Sequence, residues 1–351
     1  MTKIAIINDT HFGVRLDSPV FLDHQENFFK NVFFPEIDKQ KIKIVFDLGD
    51  TFDRRKIINF NTLKRSRHFF FNELQKRNIE YHAVVGNHSV YYKNTNEINS
   101  MDLLLNEYNN FNFYIHETKE LEFDNVKFLL VPWLTDVNIE KCLDDIKNTN
   151  ASFILGHFEI KGFEYMKGSI AEHGLDRKIF ETFEGVYSGH FHHPSHYNNI
   201  KYLGAQYEMD WSDYGEKRGF HVFDTKKRNL KFIENKTKIF HKIYYDDNVK
   251  LDNIDFSTLN NCFIKLIIKN KNNDLLYDEF VDKIVENNPA DLKIIEDSLN
   301  LENTVEDDII DESKNTKDIL HDYIDNIETN LEKPKIKKLI DKLYIKANSL
   351  E

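Results

Sequence analysis

The 351-residue sequence predicts an α/β sandwich, and three observations carry that prediction. Short β-rich runs alternate with helical patterns through the first 235 residues. Most of these runs are continuously apolar rather than alternating, as strands covered on both faces are. Polar residues with chemical potential recur just after the runs, at the strand end where open α/β sheets bind ligands. Hydrophobic residues make up 40% and charged residues 30%, which supplies a core and excludes a wholly disordered chain.

Taken in order, 3–8, 43–48, 79–85, 126–131, 152–155 and 186–188 read as strands. Helical patterns fall near 24–40, 61–77, 97–108 and 138–149, between several of those strands. Within them, Phe69, Phe70 and Phe71 span too wide an arc for one core-facing stripe, whereas Ile98, Met101, Leu105 and Tyr108 share one face. The stretch 197–235 carries only turn and strand signals, as in an antiparallel meander. A second block follows over 241–300, with strands at 264–268 and 292–296 around a helix at 278–287. Between Lys293 and Lys314 stand eight acidic residues and no basic one, the composition of a solvated linker. Two amphipathic helices are expected beyond it, near 317–331 and 335–348, separated by Pro334. Their stripes are Ile319, Tyr323, Ile324, Ile327 and Leu331, then Ile336, Leu339, Ile340, Leu343 and Ala347.

Composition narrows the function. No apolar run approaches the ~18–20 residues of a membrane span, and the N-terminus leads straight into a strand without a signal-peptide pattern. Cys142 and Cys262 stand far apart, so neither a disulfide framework nor a thiolate zinc site is expected, and a reducing cytoplasm fits. The net charge of −12 divides into −10 for residues 241–351 and −2 for the rest, which excludes bulk electrostatic attraction to nucleic acid.

Five short motifs carry the chemistry: Asp9-Thr10-His11, Gly49-Asp50-Thr51-Phe52-Asp53, Gly86-Asn87-His88, Gly156-His157, and Gly189-His190-Phe191-His192. Each is weak alone. A lone Asp-x-His or Gly-His is more often a turn or a satisfied structural histidine. All five, in order and each after an apolar strand, supply carboxylate, amide and imidazole donors without thiolate. That set suits Mn, Fe, Zn or Mg.

This series resembles that of the calcineurin-like metallophosphoesterases, D-x-H, G-D-x-x-D, G-N-H-[D/E], H and G-H-x-H. The opening through Phe12 and Gly13 is further similar to SbcD-type nucleases of double-strand-break repair. The stretches 156–162 and 217–224 resemble the phage-encoded branch of that group. The resemblance covers roughly residues 1–235 and implies a four-layer α/β/β/α metallophosphoesterase sandwich. It also implies a nuclease domain at 1–240, a small α+β capping and DNA-binding domain at 241–296, an acidic linker at 297–316 and a helical pair at 317–351.

Residue by residue, the resemblance implies two divalent ions per chain, Mn2+ foremost with Mg2+ as the second choice. Asp9, His11, Asp50 and His192 would hold one, and Asp50, Asn87, His157 and His190 the other. His88 would act as general acid, with Asp53 orienting a ligand unless it caps the next helix. Ser89 stands where the family has an acid, which leaves open how His88 is supported; Glu159 is one candidate. Arg54, Arg55 and Lys56, with Lys64, Arg65 and Arg67 beyond, either grip DNA phosphates or form a charged loop and a solvated helix face. The implied partners are DNA, a second copy of the chain, and an SbcC-like ABC ATPase with coiled coils. The ATPase would be met by Ile319, Tyr323, Ile327, Ile336, Ile340 and Leu343; the alternative is that the two helices fold back on their own chain. The function implied is a dimetal-dependent DNA nuclease, exonuclease or endonuclease, in recombination, repair or replication; the alternatives are a phosphoprotein phosphatase or cyclic-nucleotide phosphodiesterase of the same superfamily, and an inactive DNA-end scaffold.

Overall fold

Strand β1 (Lys3–Ile7) is a continuous apolar run with four of its five residues buried, and β2 (Ile44–Asp47) is buried throughout. The computed structural model describes residues 1–166, 168–295, 324, 333–337, 339 and 340. Along the chain follow β3 (Glu80–Val84), β4 (Phe111–Tyr114), β5 (Lys119–Phe123), β6 (Val126–Val131) and β7 (Phe153–His157). The short pair β8 (Glu164–Met166) and β9 (Ser169–Ile170) precedes β10 (Gly185–Gly189), β11 (Ser195–Tyr197) and β12 (Ile200–Tyr202). Then come β13 (Arg218–Asp224), β14 (Asn229–Asn235), β15 (Phe240–Tyr245), β16 (Phe263–Ile268) and β17 (Asp291–Ile295).

Two six-stranded sheets form the body, ordered β14-β13-β1-β2-β3-β4 and β11-β12-β10-β7-β6-β5. β1 to β4 pair in parallel, as do β6, β7, β10 and β12. Ile4, Ile6, Phe46, Leu48, Phe128, Leu155 and Phe223 fill one core cluster from strands of both sheets. A second cluster joins the first sheet to the helices of residues 19–40 and 60–76, and a third joins the second sheet to helix Ile139–Asn148. The result is the expected order of helix, sheet, sheet, helix.

The stretch 197–235 is not one meander. β11 and β12 extend the second sheet, with β12 parallel to β10, while β13 and β14 extend the first. The local pairing is antiparallel, but the chain changes sheets between the two hairpins, which turn signals do not reveal. The arc of Phe69, Phe70 and Phe71 has a local cause: Arg67–Phe71 is a π-helical turn, and all three rings are buried. A second π turn at Phe29–Phe33 lies against it, with Phe29 and Phe70 centroids 4.4 Å apart. On the helix Ser100–Leu105 face, Met101, Leu105 and Tyr108 are buried as expected, but Ile98 is exposed.

β15, β16 and β17 form a separate parallel sheet packed with helix Asp274–Glu286 around Tyr245, Leu266, Phe280 and Ile284. Within the expected helical tail, Ile336 and Ile340 are helical and half-buried. Ile319, Tyr323, Ile327, Leu343 and the stretch 297–316 lie outside the described residues. Among the described residues, no helix is long and apolar enough to cross a membrane.

Candidate metal centre

All five motifs meet at the C-terminal ends of β1, β2, β3, β7 and β10. The loops after β1 and β2 run side by side: Asp9 N donates to Gly49 O at 2.8 Å, His11 N to Asp50 O at 2.9 Å and Phe12 N to Thr51 O at 2.9 Å. Asp9, His11, Asp50 and His190 all have positive φ, at 49°, 42°, 57° and 87°. Such backbone costs about 1–3 kcal/mol per residue and persists only where the surroundings enforce it. Gly86 makes one approach possible, since a Cβ there would meet Asp50 Oδ1 at 2.1 Å and Asp50 N at 2.6 Å.

Two clusters result. In one, Asn87 Oδ1 lies 2.9 Å from His157 Nε2 and 3.0 Å from His190 Nδ1, and Asp50 Oδ2 is 3.1 Å from His157 Nε2. His157 Nδ1 donates to Leu48 O at 2.8 Å, which fixes the tautomer and leaves Nε2 facing the cluster. In the other, His11 Nε2 and His192 Nε2 face each other at 3.0 Å. Asp9 Oδ1 and Asp50 Oδ2 lie 3.9 and 3.8 Å from His11 Nε2. Asp50 therefore reaches both clusters through one oxygen while its Oδ1 accepts from His88 N at 2.8 Å. Asp9 is pinned likewise, accepting from His190 N at 3.1 Å on each oxygen. His190 and His192, two residues apart, serve different clusters because His190 sits in the left-handed turn after β10.

Electrostatics follow from burial and charge. Burial pushes His190 down to about 3, with His157 adding to it, and pushes His192 down to about 3, with His11 adding to it. Both are thus neutral, the form that ligates. Burial works against Asp50 ionising, yet the His157 charge and hydrogen bond, with His88 and His11, hold it well below the ordinary carboxylate range. Imidazole nitrogens and acidic oxygens converging this closely, buried and without thiolate, suit divalent cations. Among the described residues, Asp9, His11 and His192 form one ligand-like group and Asp50, His157 and His190 another, while His11, Asp53 and His88 form a third that shares His11 with the first.

Asp53 Oδ1 lies 3.2 Å from His11 Nδ1. The cap of the next helix comes instead from Asn59, which accepts from Asn61 N at 2.8 Å. His88 is half-buried, its ring centroid 4.9 Å from that of His11, and its Nδ1 donates to the Asp53 carbonyl. Ser89 is buried with its hydroxyl unpartnered, and Glu159 is exposed beside a separate cavity. The Asp53 carbonyl thus holds His88 where the family acid was expected to.

The basic residues separate. Arg54 pairs with Asp17 at 3.6 Å, and Arg55 donates to Val90 O at 3.1 Å. Lys56 is exposed, its amine 5.5 Å from the Tyr91 ring. Arg65 is bound by Asp23 at 2.7 Å and Glu26 at 2.5 Å, and Arg67 by Glu107 at 3.3 Å.

Two residues were missed. Trp133 lies with its ring centroid 5.2 Å from His190 and 5.8 Å from His157. Arg218 is fully buried, donating to the His192 carbonyl and to Asp213 and Glu216 at 2.5 Å each. The 217–224 stretch contained Arg218, but nothing local showed that it reaches the last histidine; Trp133 had no signal beyond following β6.

A four-layer sandwich whose strand ends carry two such clusters joined by one aspartate defines a metallophosphoesterase. Residues 2–194 match the calcineurin-like phosphoesterase family, and the chain belongs to it. Enzymes of this family work with two metal ions. Over 98% of its length the chain is 30% identical to exonuclease subunit 1 of Enterobacteria phage T4, covering 99% of that protein. Two solved structures are similar at a lower level. An archaeal phosphodiesterase shares 14% identity, with TM-score 0.33 over 67% of this chain and 100% of its own. A dimetal phosphatase from Danio rerio shares 11%, with TM-score 0.40 over 63% of this chain and 91% of its own.

Proposed function

We propose that this protein is a dimetal-dependent DNA nuclease of the SbcD type, hydrolysing phosphodiester bonds at DNA ends. The observation that carries the reading is the shared Asp50 between two histidine clusters, in a chain similar end to end to an exonuclease subunit. Asp9, His11, Asp50 and His192 would hold one ion, and Asp50, Asn87, His157 and His190 the second, with Mn2+ the expected metal and Mg2+ the alternative. Such a pair supplies positive charge to the attacking and leaving oxygens of an in-line displacement and acidifies the attacking water.

The chain's own residues do the rest. Asp53 orients His11 through Nδ1, keeping Nε2 toward the cluster. With Nδ1 tied to the Asp53 carbonyl, Nε2 is the His88 nitrogen left to hand a proton to the leaving oxygen. Of Arg54, Arg55 and Lys56, Lys56 is the exposed one and so the one to meet a DNA phosphate.

The unit 241–296, with its own core, serves as the capping domain. In the nuclease domain, exposed Phe60 and Leu103 support a homodimer through the helices of residues 60–76 and 100–105. An SbcC-like ATPase would engage the terminal helices through Ile319, Tyr323, Ile327, Ile336, Ile340 and Leu343, beyond an acidic linker. The setting would be the host cytoplasm of a phage infection.

The test is nucleotide release from linear, nicked and hairpin DNA with Mn2+ or Mg2+, with and without the ATPase, beside hydrolysis of a phosphopeptide and a cyclic nucleotide. DNA cleavage is expected. Turnover of the phosphopeptide or cyclic nucleotide alone would replace the nuclease by a phosphatase or phosphodiesterase.

A further inference from the structure

Beside the second cluster lies a cavity of about 260 Å3 that shares only His157 with the five motifs. Its lining includes Trp133, Ile139, Phe158 and Leu175, and its polar groups are His157 and Glu159. The position is set by topology. Trp133 follows β6 and Glu159 follows β7, parallel neighbours of which β7 ends on the motif residue His157. Gly174 closes one side: its φ is +106°, and a Cβ there would meet Glu159 O at 2.4 Å. Leu175 N in turn donates to Glu159 O at 2.8 Å, so the wall is tied to the end of β7.

Trp133 is held at its backbone from both directions. Its N–H donates to Val85 O at 2.9 Å, and its carbonyl accepts from Asn96 Nδ2 at 2.9 Å and Asn138 Nδ2 at 3.1 Å. The indole is only half-buried and flanks the two ligand-like histidines of this cluster. A phosphate seated at the dimetal centre therefore has an aromatic wall and an apolar recess within the reach of one nucleotide. The exposed Glu159 carboxylate beside it repels a second phosphate and accepts N–H groups, so the recess suits a base and not the backbone.

We propose that this recess takes the unstacked base of the terminal nucleotide, stacked on Trp133, while its phosphate lies at the metal centre. The inference rests on the nuclease reading and adds a base-recognition subsite to it. Stacking one base on an aromatic side chain is worth roughly 5- to 150-fold in binding, about 1–3 kcal/mol.

The experiment uses full-length protein and duplexes whose terminal nucleotides carry either a base or an abasic sugar. With ordinary ends, Trp133→Ala should raise KM for release of the first nucleotide by roughly 5- to 150-fold. With abasic ends, wild type and variant should behave alike, and both should keep the same metal content. Trp133→Phe, which retains a ring, should restore most of the affinity. An equal loss on both substrates, or loss of bound metal, would make Trp133 a mere buttress of His157 and His190. No change on either substrate would remove the recess from recognition. Failure of the wild type to cleave any DNA would instead sink the nuclease reading itself.

Discussion

Asp50→Asn is the sharpest test of the centre, because Asp50 Oδ2 lies 3.1 Å from His157 Nε2 in one cluster and 3.8 Å from His11 Nε2 in the other. In the variant, the amide oxygen can keep the 2.8 Å bond from His88 N. The amide NH2 then replaces Oδ2, and a donor points where a cation must sit. A carboxylate and a divalent ion about 4 Å apart attract by about 8 kcal/mol at an effective dielectric of 20. Relief of the carboxylate's desolvation returns part of that on substitution. If half remains, each ion loses about 4 kcal/mol, a roughly 10³-fold weaker site. The ion-free fold should survive, since buried strands and not ions hold the sheets together. Calorimetric titration of chelator-stripped protein with Mn2+, beside a melting curve, reads both quantities. Two ions bound at wild-type affinity, with wild-type cleavage, would refute the shared-aspartate assignment.

Three further outcomes are expected. His88→Asn should keep both ions yet slow cleavage by roughly 10²–10⁴-fold; loss of an ion from that variant would make His88 a ligand. Lys56→Gln should flatten the salt dependence of DNA binding by up to about one unit of slope, and an unchanged slope would leave Lys56 a bystander. Burial pushes His24 and His221 down to about 4 from 6.5, so between those pH values the unfolded chain binds protons that the folded chain refuses. Stability from these residues is complete above about pH 6.5 and is lost as pH falls toward 4. His221→Gln should make the denaturation midpoint fall less between pH 7 and pH 5, whereas an identical fall would absolve His221.

What the sequence disclosed depended on burial. β1, β2 and β6 announce themselves because they are apolar almost throughout. β5, an edge strand reading Lys-Glu-Leu-Glu-Phe, keeps only a partly buried face and is masked by its charges. β4 is partly exposed and interrupted by Asn112, so it too went unread. The motif residues were legible because each follows such a strand. Their supports were not, because they arrive from distant sequence: Arg218 reaches His192 from 26 residues away, and the His157 ring is fixed by a carbonyl 109 residues before it. Arg65 and Arg67 read as free charge only because Asp23, Glu26 and Glu107 lie on other helices or beyond.

The strained backbone at Asp9, His11 and Asp50 needs something to enforce it, and the packing beneath supplies that. Phe12, directly after His11, is 1% exposed and stands 5.5–6.1 Å from Phe29, Phe52, Phe69, Phe70 and Phe71. Phe52 belongs to the Asp50 loop, so one aromatic cluster anchors both strained loops. The paired π turns present Phe29 and the three consecutive Phe residues to it, which a regular helix of 3.6 residues per turn would not do for three neighbours. Phe12→Ala should cost about 3–5 kcal/mol of stability, as should Phe280→Ala in the core of the β15–β17 unit. If the cluster enforces the loop geometry, only Phe12→Ala also weakens Mn2+ binding, by more than about tenfold for a loss of about 1.4 kcal/mol at the site. Titration of both variants at a temperature where each remains folded separates the two effects. Equal metal affinity in the two variants would mean that the backbone hydrogen bonds between the loops suffice, and that the aromatic cluster contributes stability alone.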